Sequence, residues 1–256
     1  MAKIALQLYT VREQMEQDFE GTLRKVAELG YQGVEFAGFY GRTKEQVKAL
    51  LEENGLTAVG AHTSLDLLLN HLDEQIEINQ FIGNNKLIVP YVAEEDRGRW
   101  EEIIADIQRI AEACAAKGIT LMYHNHDFEL TQKLNGETVL DTIFETVPAS
   151  LLEVELDSCW VEFAGFDAVA YIEKYKGRMP LLHLKDVKKK EDGSPETVEL
   201  GAGQLDIKRI ADAAIEAGVE WLIVEQDYTA NGAINCITTS MDWVKNYVSQ
   251  GGKLNV

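Results

Sequence analysis

The chain has 256 residues and a formal net charge of −19, from 43 acidic and 24 basic side chains. So acidic a protein repels nucleic-acid phosphates, and its basic clusters, chiefly residues 188–190, are too short for a duplex footprint, so no nucleic-acid partner is expected. No apolar stretch approaches the roughly 20 residues that a membrane span needs, and the three cysteines are an odd, widely spaced set. We therefore predict a cytoplasmic protein without a membrane segment.

Short apolar runs alternate with amphipathic helical patterns along the whole chain. Eight such pairs can be counted, and no Pro- or Ser-rich linker divides them, so we predict one domain, residues 1–256, with the fold of a single (β/α)8 TIM barrel. Glycines after several helices, such as Gly30 and Gly218, predict left-handed caps that turn the chain back into the barrel. The predicted strands and helices are, in chain order, 4–10 and 19–29, 33–37 and 43–53, 56–62 and 72–81, 86–92 and 98–117, 119–126 and 139–147, 152–156 and 167–175, 181–186 and 207–217, and 221–226 and 237–248.

Acidic and imidazole side chains cluster near the ends of the last four predicted strands. In a TIM barrel the active-site residues project from the carboxyl ends of the strands, which lie about 5 Å apart, so a divalent cation fits between them. Oxygen and imidazole donors without thiolate suit Mn²⁺, Mg²⁺, Co²⁺ or Zn²⁺. Counting all predicted strands, the residues at strand ends are four of the five histidines, His62, His124, His126 and His183, together with Asp157 and Glu225.

The order of four motifs carries a resemblance to a known family. His-Asn-His from residue 124, Leu-Asp-Ser-Cys-Trp from 156, His-Leu-Lys-Asp from 183 and Val-Glu-Gln from 224 together resemble the xylose-isomerase-like family of sugar phosphate isomerases and epimerases, which shares its barrel with apurinic endonucleases. In that family an acidic residue after the fifth strand, an Asp after the sixth, a His after the seventh and a Glu after the eighth hold the metal. The resemblance implies that Asp157, His183 and Glu225 are three of the four ligands.

The fifth strand departs from the family pattern. Relatives often have Glu-Asn where this chain has His124 and Asn125, so His124 is the predicted substitute ligand. His126, on the same strand face, and Glu129, from the following loop, are alternatives that the sequence leaves open. The endonucleases need further histidines for a three-metal cluster, so the prediction is a sugar enzyme with one divalent cation, Mn²⁺ being favoured.

The resemblance and the chemistry of the site predict a divalent-metal-dependent sugar isomerase or epimerase that acts through an enediolate on a small sugar, ketose or cyclitol. Removal of a proton next to a carbonyl leaves this enediolate, which a cation stabilises while nearby groups move the proton. A metal-dependent dehydratase or lyase acting on a keto-cyclitol or 3-oxo-glycoside begins in the same way and is the first alternative. A non-catalytic sugar-binding barrel is the second.

Four side chains are predicted to move protons and four to bind the substrate. Lys185 lies two residues after His183, where a cation's field would depress its pKa; an ion pair with an acid such as Asp186 is the alternative. The predicted proton carriers are Glu225, which also serves as a ligand, Lys185, Glu129 and His126. The predicted hydroxyl-binding and stacking residues are His62, Trp160, Gln7 and Glu35.

Two features bear on whether the substrate is phosphorylated. Gly201 and Gly203 precede a predicted helix whose first amides could hold a phosphate, but Asp206 at the helix start opposes an anion, so a turn is predicted. The lysines at 188–190 are followed at once by two acidic residues and are predicted to form a solvated loop. These features favour an uncharged sugar, cyclitol or oxidised glycoside.

Overall fold

Eight runs of aliphatic and β-branched residues form parallel strands in the computed structural model, which describes residues 1–256. Each strand pairs with the next in chain order, and the eighth pairs with the first, with Ala5 opposite Ile223, so the sheet closes on itself. The predicted TIM barrel is therefore confirmed. We number its strands β1 Ala2–Gln7, β2 Gly33–Phe36, β3 Thr57–His62, β4 Lys86–Val89, β5 Thr120–His124, β6 Leu152–Asp157, β7 Leu181–Leu184 and β8 Trp221–Val224.

One or two helices follow every strand and cover the outside of the barrel. Three of them have the predicted bounds to the residue, and Gly30 and Gly218 cap their helices with φ of 107° and 91°. Helices of six residues or fewer were not predicted, because so few turns show no apolar period. The helices are Arg12–Gln17, Phe19–Leu29, Lys44–Asn54, Leu65–Asn70, Leu72–Phe81, Trp100–Ala115, Phe128–Thr131, Val139–Thr146, Ser158–Phe163, Ala168–Lys174, Ile207–Ala217 and Ala233–Ser249. None of them is both long enough and apolar enough to span a membrane.

Five strands end two or three residues before their predicted ends. After β1 the chain turns into a 3₁₀ helix, Leu8–Val11, and after β4 it meets Pro90, which has no N–H for the ladder. After β5, β7 and β8 the next residues are polar and leave the ladder at the mouth of the barrel. The predicted strands extended too far because the alternation of apolar and polar residues continues past the last hydrogen bond between neighbouring strands.

Two hairpins and one short strand are present in addition to the eight strands of the barrel. Lys133–Leu134 pairs with Glu137–Thr138, and Asp186–Lys189 pairs with Pro195–Val198 in the connection after β7. The exposed Lys188 and Lys189 thus lie on a hairpin strand, where a loop was predicted. Leu254–Asn255 pairs with β1 on the outside of the closed sheet.

The inside of the barrel changes from apolar to polar along its axis. Side chains two residues apart on a strand point to the same face, so Gln7 follows Ala5 towards the axis and His124 follows Met122. A cluster of apolar side chains lies beneath the polar groups inside the barrel. It consists of Ala5, Val59, Ile88, Met122, Leu181, Trp221 and Ile223.

Candidate active site

A cavity of about 550 Å³ opens at the carboxyl ends of the strands. Its floor is polar and includes three of the strand-end histidines, whereas aromatic and aliphatic side chains form its walls. Tyr9 and Tyr91 of the walls are 43% and 48% exposed, so the rim is accessible to solvent. The lining residues are Tyr9, Ala37, Gly38, His62, Ser64, Leu67, Pro90, Tyr91, His124, His126, Glu225 and Asp227.

Four side chains at the ends of β5 to β8 could hold a metal ion, because His124, Asp157, His183 and Glu225 offer donor atoms that all lie within 4.8 Å of one another. His183 Nδ1 is 2.9 Å from Glu225 Oε2, and His124 Nε2 is 3.8 Å from Asp157 Oδ2. Asp157 Oδ1 caps the helix Ser158–Phe163, whereas Asp157 Oδ2 is buried and faces the Lys185 ammonium at 3.0 Å. Two carboxylates beside two imidazoles are a donor set that fits a divalent cation.

A second layer of carboxylates holds the imidazole rings from behind. Glu35 Oε2 lies 2.7 Å from His183 Nε2, and Glu155 Oε2 lies 3.1 Å from His124 Nδ1. A carboxylate on one ring nitrogen fixes the tautomer and turns the other nitrogen towards the metal position. His183 therefore presents Nδ1 to Glu225, and His124 presents Nε2 to Asp157.

A second, deeper group of donors overlaps with the first. His62, His124, Glu155 and His183 also bring their donor atoms within 4.8 Å of one another. Glu155 Oε2 in this group is already engaged, since it lies 2.7 Å from His62 Nε2. Each group has two members that line the cavity, but the first offers two carboxylates and the second only one, so the first is the better candidate for a metal.

His62 connects the deep carboxylates with the cavity. Its Nε2 lies 2.7 Å from Glu155 Oε2 and 3.2 Å from Glu35 Oε2, which leaves Nδ1 as the ring nitrogen not taken by these carboxylates. Burial by itself would lower the pKa of His62, but the charges of Glu35 and Glu155 outweigh it and raise the pKa to about 10. His62 is therefore an imidazolium at the cavity floor.

Lys185 lies fully buried among three carboxylates. Its Nζ is 2.8 Å from Glu225 Oε2, 3.0 Å from Asp157 Oδ2 and 3.1 Å from Asp227 Oδ2. Burial opposes its charge, but the carboxylates raise the pKa of Lys185 well above its ordinary value, opposite to the depressed pKa expected from a cation's field alone. The ion-pair alternative thus describes the geometry, with three partners other than Asp186.

His126 lines the cavity, and one of its ring nitrogens has no hydrogen-bond partner. Its Nδ1 is buried without a hydrogen bond, and its ring stacks between Phe128 and Trp160, with centroids 5.6 and 5.8 Å away. Burial and the nearby Lys185 charge lower the pKa of His126 to about 3, so the imidazole is neutral. Trp160, predicted to stack on the sugar, instead supports this ring and does not line the cavity.

Glu129 is fully buried behind β5 and does not reach the cavity. The Tyr123 hydroxyl donates to its Oε1 and the His126 backbone N–H donates to its Oε2, both at 2.8 Å. Burial outweighs these hydrogen bonds and raises the pKa of Glu129 to about 7, from an ordinary value of 4.5. The carboxyl group holds the backbone of His126 in place.

Replacing Glu129 with Gln is expected to remove part of the pH dependence of stability. Because the folded protein holds the Glu129 proton more tightly than the unfolded chain, its contribution is complete below about pH 4.5 and is lost as pH rises to about 7. The difference amounts to about 3 kcal/mol, at about 1.4 kcal/mol per pKa unit. A glutamine keeps both contacts, since its oxygen accepts from His126 and its NH₂ donates to the Tyr123 hydroxyl.

The measurement is urea unfolding of the parent and the Glu129→Gln variant at pH 5 and at pH 8. The variant should lose less stability than the parent between these two values. Equal losses in both proteins would show that Glu129 is already ionised at pH 5. Exposed Glu101, replaced with Gln, is the matched control and should follow the parent.

The sequence-derived site residues occupy three depths of the barrel. Those that line the cavity are His62, His124, His126 and Glu225, and those buried directly beneath it are Asp157, His183 and Lys185. Gln7 and Glu35 lie deeper, with Gln7 Nε2 donating to Glu35 Oε2 at 2.7 Å. Gly60 makes room there, because a Cβ at that position would lie 2.5 Å from Glu35 Oε1.

Sequence reasoning missed Glu155, Asp227, Tyr9 and Tyr91. Glu155 stands two residues before Asp157 and Asp227 two residues after Glu225, so the period of two along a strand would have placed both on the inner face. Tyr9 and Tyr91 lie two residues after the ends of β1 and β4, inside the ranges predicted as strands, so the pattern did not mark them as cavity residues. All four contact or line the site.

Comparisons with known proteins place the chain among related barrels. A profile of the family described as xylose isomerase-like TIM barrel matches residues 23–247. The inosose dehydratase of Clostridium perfringens strain 13 is 25% identical over 201 residues, which are 69% of this chain and 66% of that protein, so the chain spans just under two thirds of that relative's length.

Two solved structures superpose on nearly the whole chain. A sugar phosphate isomerase/epimerase from Parabacteroides distasonis has a TM-score of 0.80 at 20% identity, over 95% of this chain and 93% of its own. A structure of L-ribulose 3-epimerase has a TM-score of 0.74 at 14% identity, over 98% and 95%. At these identities both structures share the fold and nothing finer follows from them.

Proposed function

Since the chain belongs to the xylose isomerase-like TIM barrel family, we propose that it is a divalent-metal-dependent dehydratase that forms an enediolate from a small polyhydroxylated ketone and eliminates water from it. The curated relative named inosose dehydratase supports this reaction class. A keto-cyclitol, which loses water, or a 3-oxo-glycoside, which loses its aglycone as an alcohol, meets the requirement of this chemistry, because elimination needs a carbonyl next to the carbon that gives up the proton and a leaving oxygen on the carbon after it.

The observation that carries the proposal is an acid and a base of opposite charge on one cavity floor. Glu225 lies 2.8 Å from the Lys185 ammonium, which favours its ionised form, and it accepts the proton of the carbon next to the carbonyl. His62 has two carboxylates behind it, which favour its protonated form, and its Nδ1–H donates to the departing hydroxyl. Elimination needs one group that takes a proton and one that gives a proton, and the two environments set these roles apart.

The first donor group, which we call the upper donor group, would hold the cation. His124, Asp157, His183 and Glu225 supply two nitrogen and two carboxylate ligands, as the family pattern with its fifth-strand substitution requires. When bound, a divalent cation would supply charge stabilisation for an enediolate. Glu35 and Glu155 keep the two histidine rings turned towards it.

The remaining cavity residues position the substrate. The neutral ring of His126 lines the cavity and offers a polar contact to a substrate hydroxyl, and Glu129 fixes the backbone from which that ring projects. Tyr9 and Tyr91 offer ring faces at the walls, where the apolar face of a sugar or cyclitol ring can pack.

An epimerase is the second candidate, favoured by the neutral ring of His126. Epimerisation needs one group that takes a proton from one face of the substrate and another that returns a proton to the other face, and His126 lines the cavity as a second candidate carrier in addition to Glu225. In that reaction the proton taken from one face of the substrate is replaced from the other face, and no hydroxyl leaves.

Product analysis in D₂O separates the two reactions. The Mn²⁺-loaded protein is incubated with scyllo-inosose and with a 3-oxo-glucoside, and the mixtures are examined by NMR and mass spectrometry. The proposal expects a product that is lighter by one water molecule, or the free aglycone from the glycoside. A product of unchanged carbon skeleton and formula that carries one deuterium would favour the epimerase.

The control is the His62→Gln variant. Without its proton donor it should still exchange the substrate proton for deuterium but should eliminate about 10²-fold more slowly, as expected for loss of one general acid. Elimination at the parent rate would remove His62 from the proposal. Substrate binding with neither exchange nor elimination in the parent would favour the non-catalytic sugar-binding barrel.

A further inference from the structure

The connection after β7 folds around a single carboxylate, that of Asp186. Its Oδ2 accepts hydrogen bonds from the backbone N–H groups of Gly201 at 3.0 Å and Gly203 at 2.9 Å. Its Oδ1 accepts from Val187 at 2.8 Å and Leu205 at 3.2 Å. Asp186 is fully buried. We call these four N–H groups the amide cradle.

The amide cradle lies where TIM barrels often bind a substrate's phosphate. That site is commonly built from the loops after the seventh and eighth strands, and converging backbone N–H groups are its usual donors. The cradle belongs to the connection between β7 and the helix Ile207–Ala217, and Asp186 directly follows Lys185, whose ammonium contacts Asp157 and Glu225. Asp186 therefore lies one residue from the chemistry of the cavity floor.

The carboxylate leaves neither space nor donors for another anion. A Cβ built on Gly203 would lie 2.0 Å from Asp186 Oδ1, so the side chain fills the space beside the turn. A second carboxylate, that of Asp206, caps the following helix by accepting from the Arg209 N–H at 3.0 Å. An incoming phosphate would meet two fixed negative charges at this end of the barrel.

The cations around the cavity are also engaged. Lys185 is surrounded by three carboxylates, as described above. Arg12 donates to the backbone oxygens of Tyr9 at 2.8 Å and Asp227 at 3.1 Å. Arg97 donates to the backbone oxygen of Val92 at 3.1 Å and to the Tyr91 hydroxyl at 2.6 Å. These side chains support the walls of the cavity from outside its lining.

We propose that Asp186 acts as an internal anion in the phosphate position of the barrel, so that the substrate is an uncharged polyhydroxylated ketone or its glycoside and not a sugar phosphate. The inference rests on the proposed function, because it assigns a class of substrate to the same cavity. That Asp186 occupies the amide cradle does not depend on whether any substrate is turned over. Asp186 is thus a specificity-determining residue that holds the connection after β7 closed against anions.

The first test is thermal unfolding of the parent and of Asp186→Ala in chloride and in inorganic phosphate at equal ionic strength. The variant leaves four N–H groups without their acceptor, so it should unfold at a lower temperature than the parent. Phosphate should raise the midpoint of the variant by about 2–4 °C more than that of the parent, which corresponds to about 1 kcal/mol for a chain of this size. The control is Asp192→Ala, which removes an exposed carboxylate of the same connection and should respond as the parent does.

The second test uses only the parent protein, so it tests the inference even if Asp186→Ala does not fold. Saturation-transfer NMR is recorded with scyllo-inosose and with D-fructose 6-phosphate, in competition and separately. The proposal expects at least about 10²-fold weaker binding of the phosphate ester, since it would have to displace the Asp186 carboxylate.

Two results would overturn the inference: equal phosphate responses of the parent and Asp186→Ala, or binding of the phosphate ester by the parent as tightly as the uncharged ketone. Binding of the ester that disappears in Arg12→Gln would move the phosphate site to the rim and would overturn it as well. If the unfolding and binding results hold but no substrate is turned over, the proposed function fails and the occupied amide cradle stands.

Discussion

Replacing Asp157 with Ala and Glu225 with Gln in one variant is expected to abolish metal retention and to lower kcat/KM by at least about 10³-fold. The double substitution removes both carboxylates of the upper donor group. It also removes the proposed proton acceptor, and loss of a general base alone costs about 10²–10⁴-fold. Charge stabilisation of the enediolate is lost in addition.

Elemental mass spectrometry after loading with Mn²⁺ and desalting measures the first part. The parent should retain about one equivalent per chain and the double variant little. Asp227→Asn is the matched control, because Asp227 lines the same cavity but lies outside the donor group, and this variant should keep its metal. If the parent and the double variant retained equal amounts of metal, the upper donor group would not be the metal site. The deeper group around Glu155 would then be the candidate.

Lys185→Met is expected to lower the free energy of unfolding of the metal-free protein by about 3–5 kcal/mol, the usual result of removing one partner from a buried ionic group. The substitution keeps the volume of the side chain but leaves Asp157, Glu225 and Asp227 facing one another without the ammonium that lies within 3.1 Å of all three. Added Mn²⁺ should restore more stability in the variant than in the parent, because two of these carboxylates belong to the proposed ligands.

Urea unfolding in the presence of EDTA, and again with Mn²⁺, measures both effects. The exposed Lys188 provides the control, since Lys188→Met should change stability by no more than about 0.5 kcal/mol. If Lys185→Met were as stable as the control without metal, the three carboxylates would have to be protonated or separated in solution. In that case the arrangement of the cavity floor described above would be wrong.

The sequence by itself determined the architecture and the position of the chemistry. Eight alternations of strand and helix in 256 residues leave few folds other than a TIM barrel, and parallel strands bring their carboxyl ends to one edge. His124, Asp157, His183 and Glu225 could therefore be placed together from strand ends and family resemblance before any distance was known. Their roles as ligands remain a proposal for the metal measurement to test.

Only the tertiary structure decided what each polar side chain faces. Whether Lys185 pairs with Asp186 or with the cavity carboxylates depends on how the connection after β7 folds back, which no local pattern in the sequence describes. The same fold-back places Asp186 in the amide cradle of Gly201 and Gly203, and the turn after β5 buries Glu129 against Tyr123. These contacts join residues whose separation in space is set by strand register and loop path, whereas periodicity within a strand fixes only the side to which each residue points.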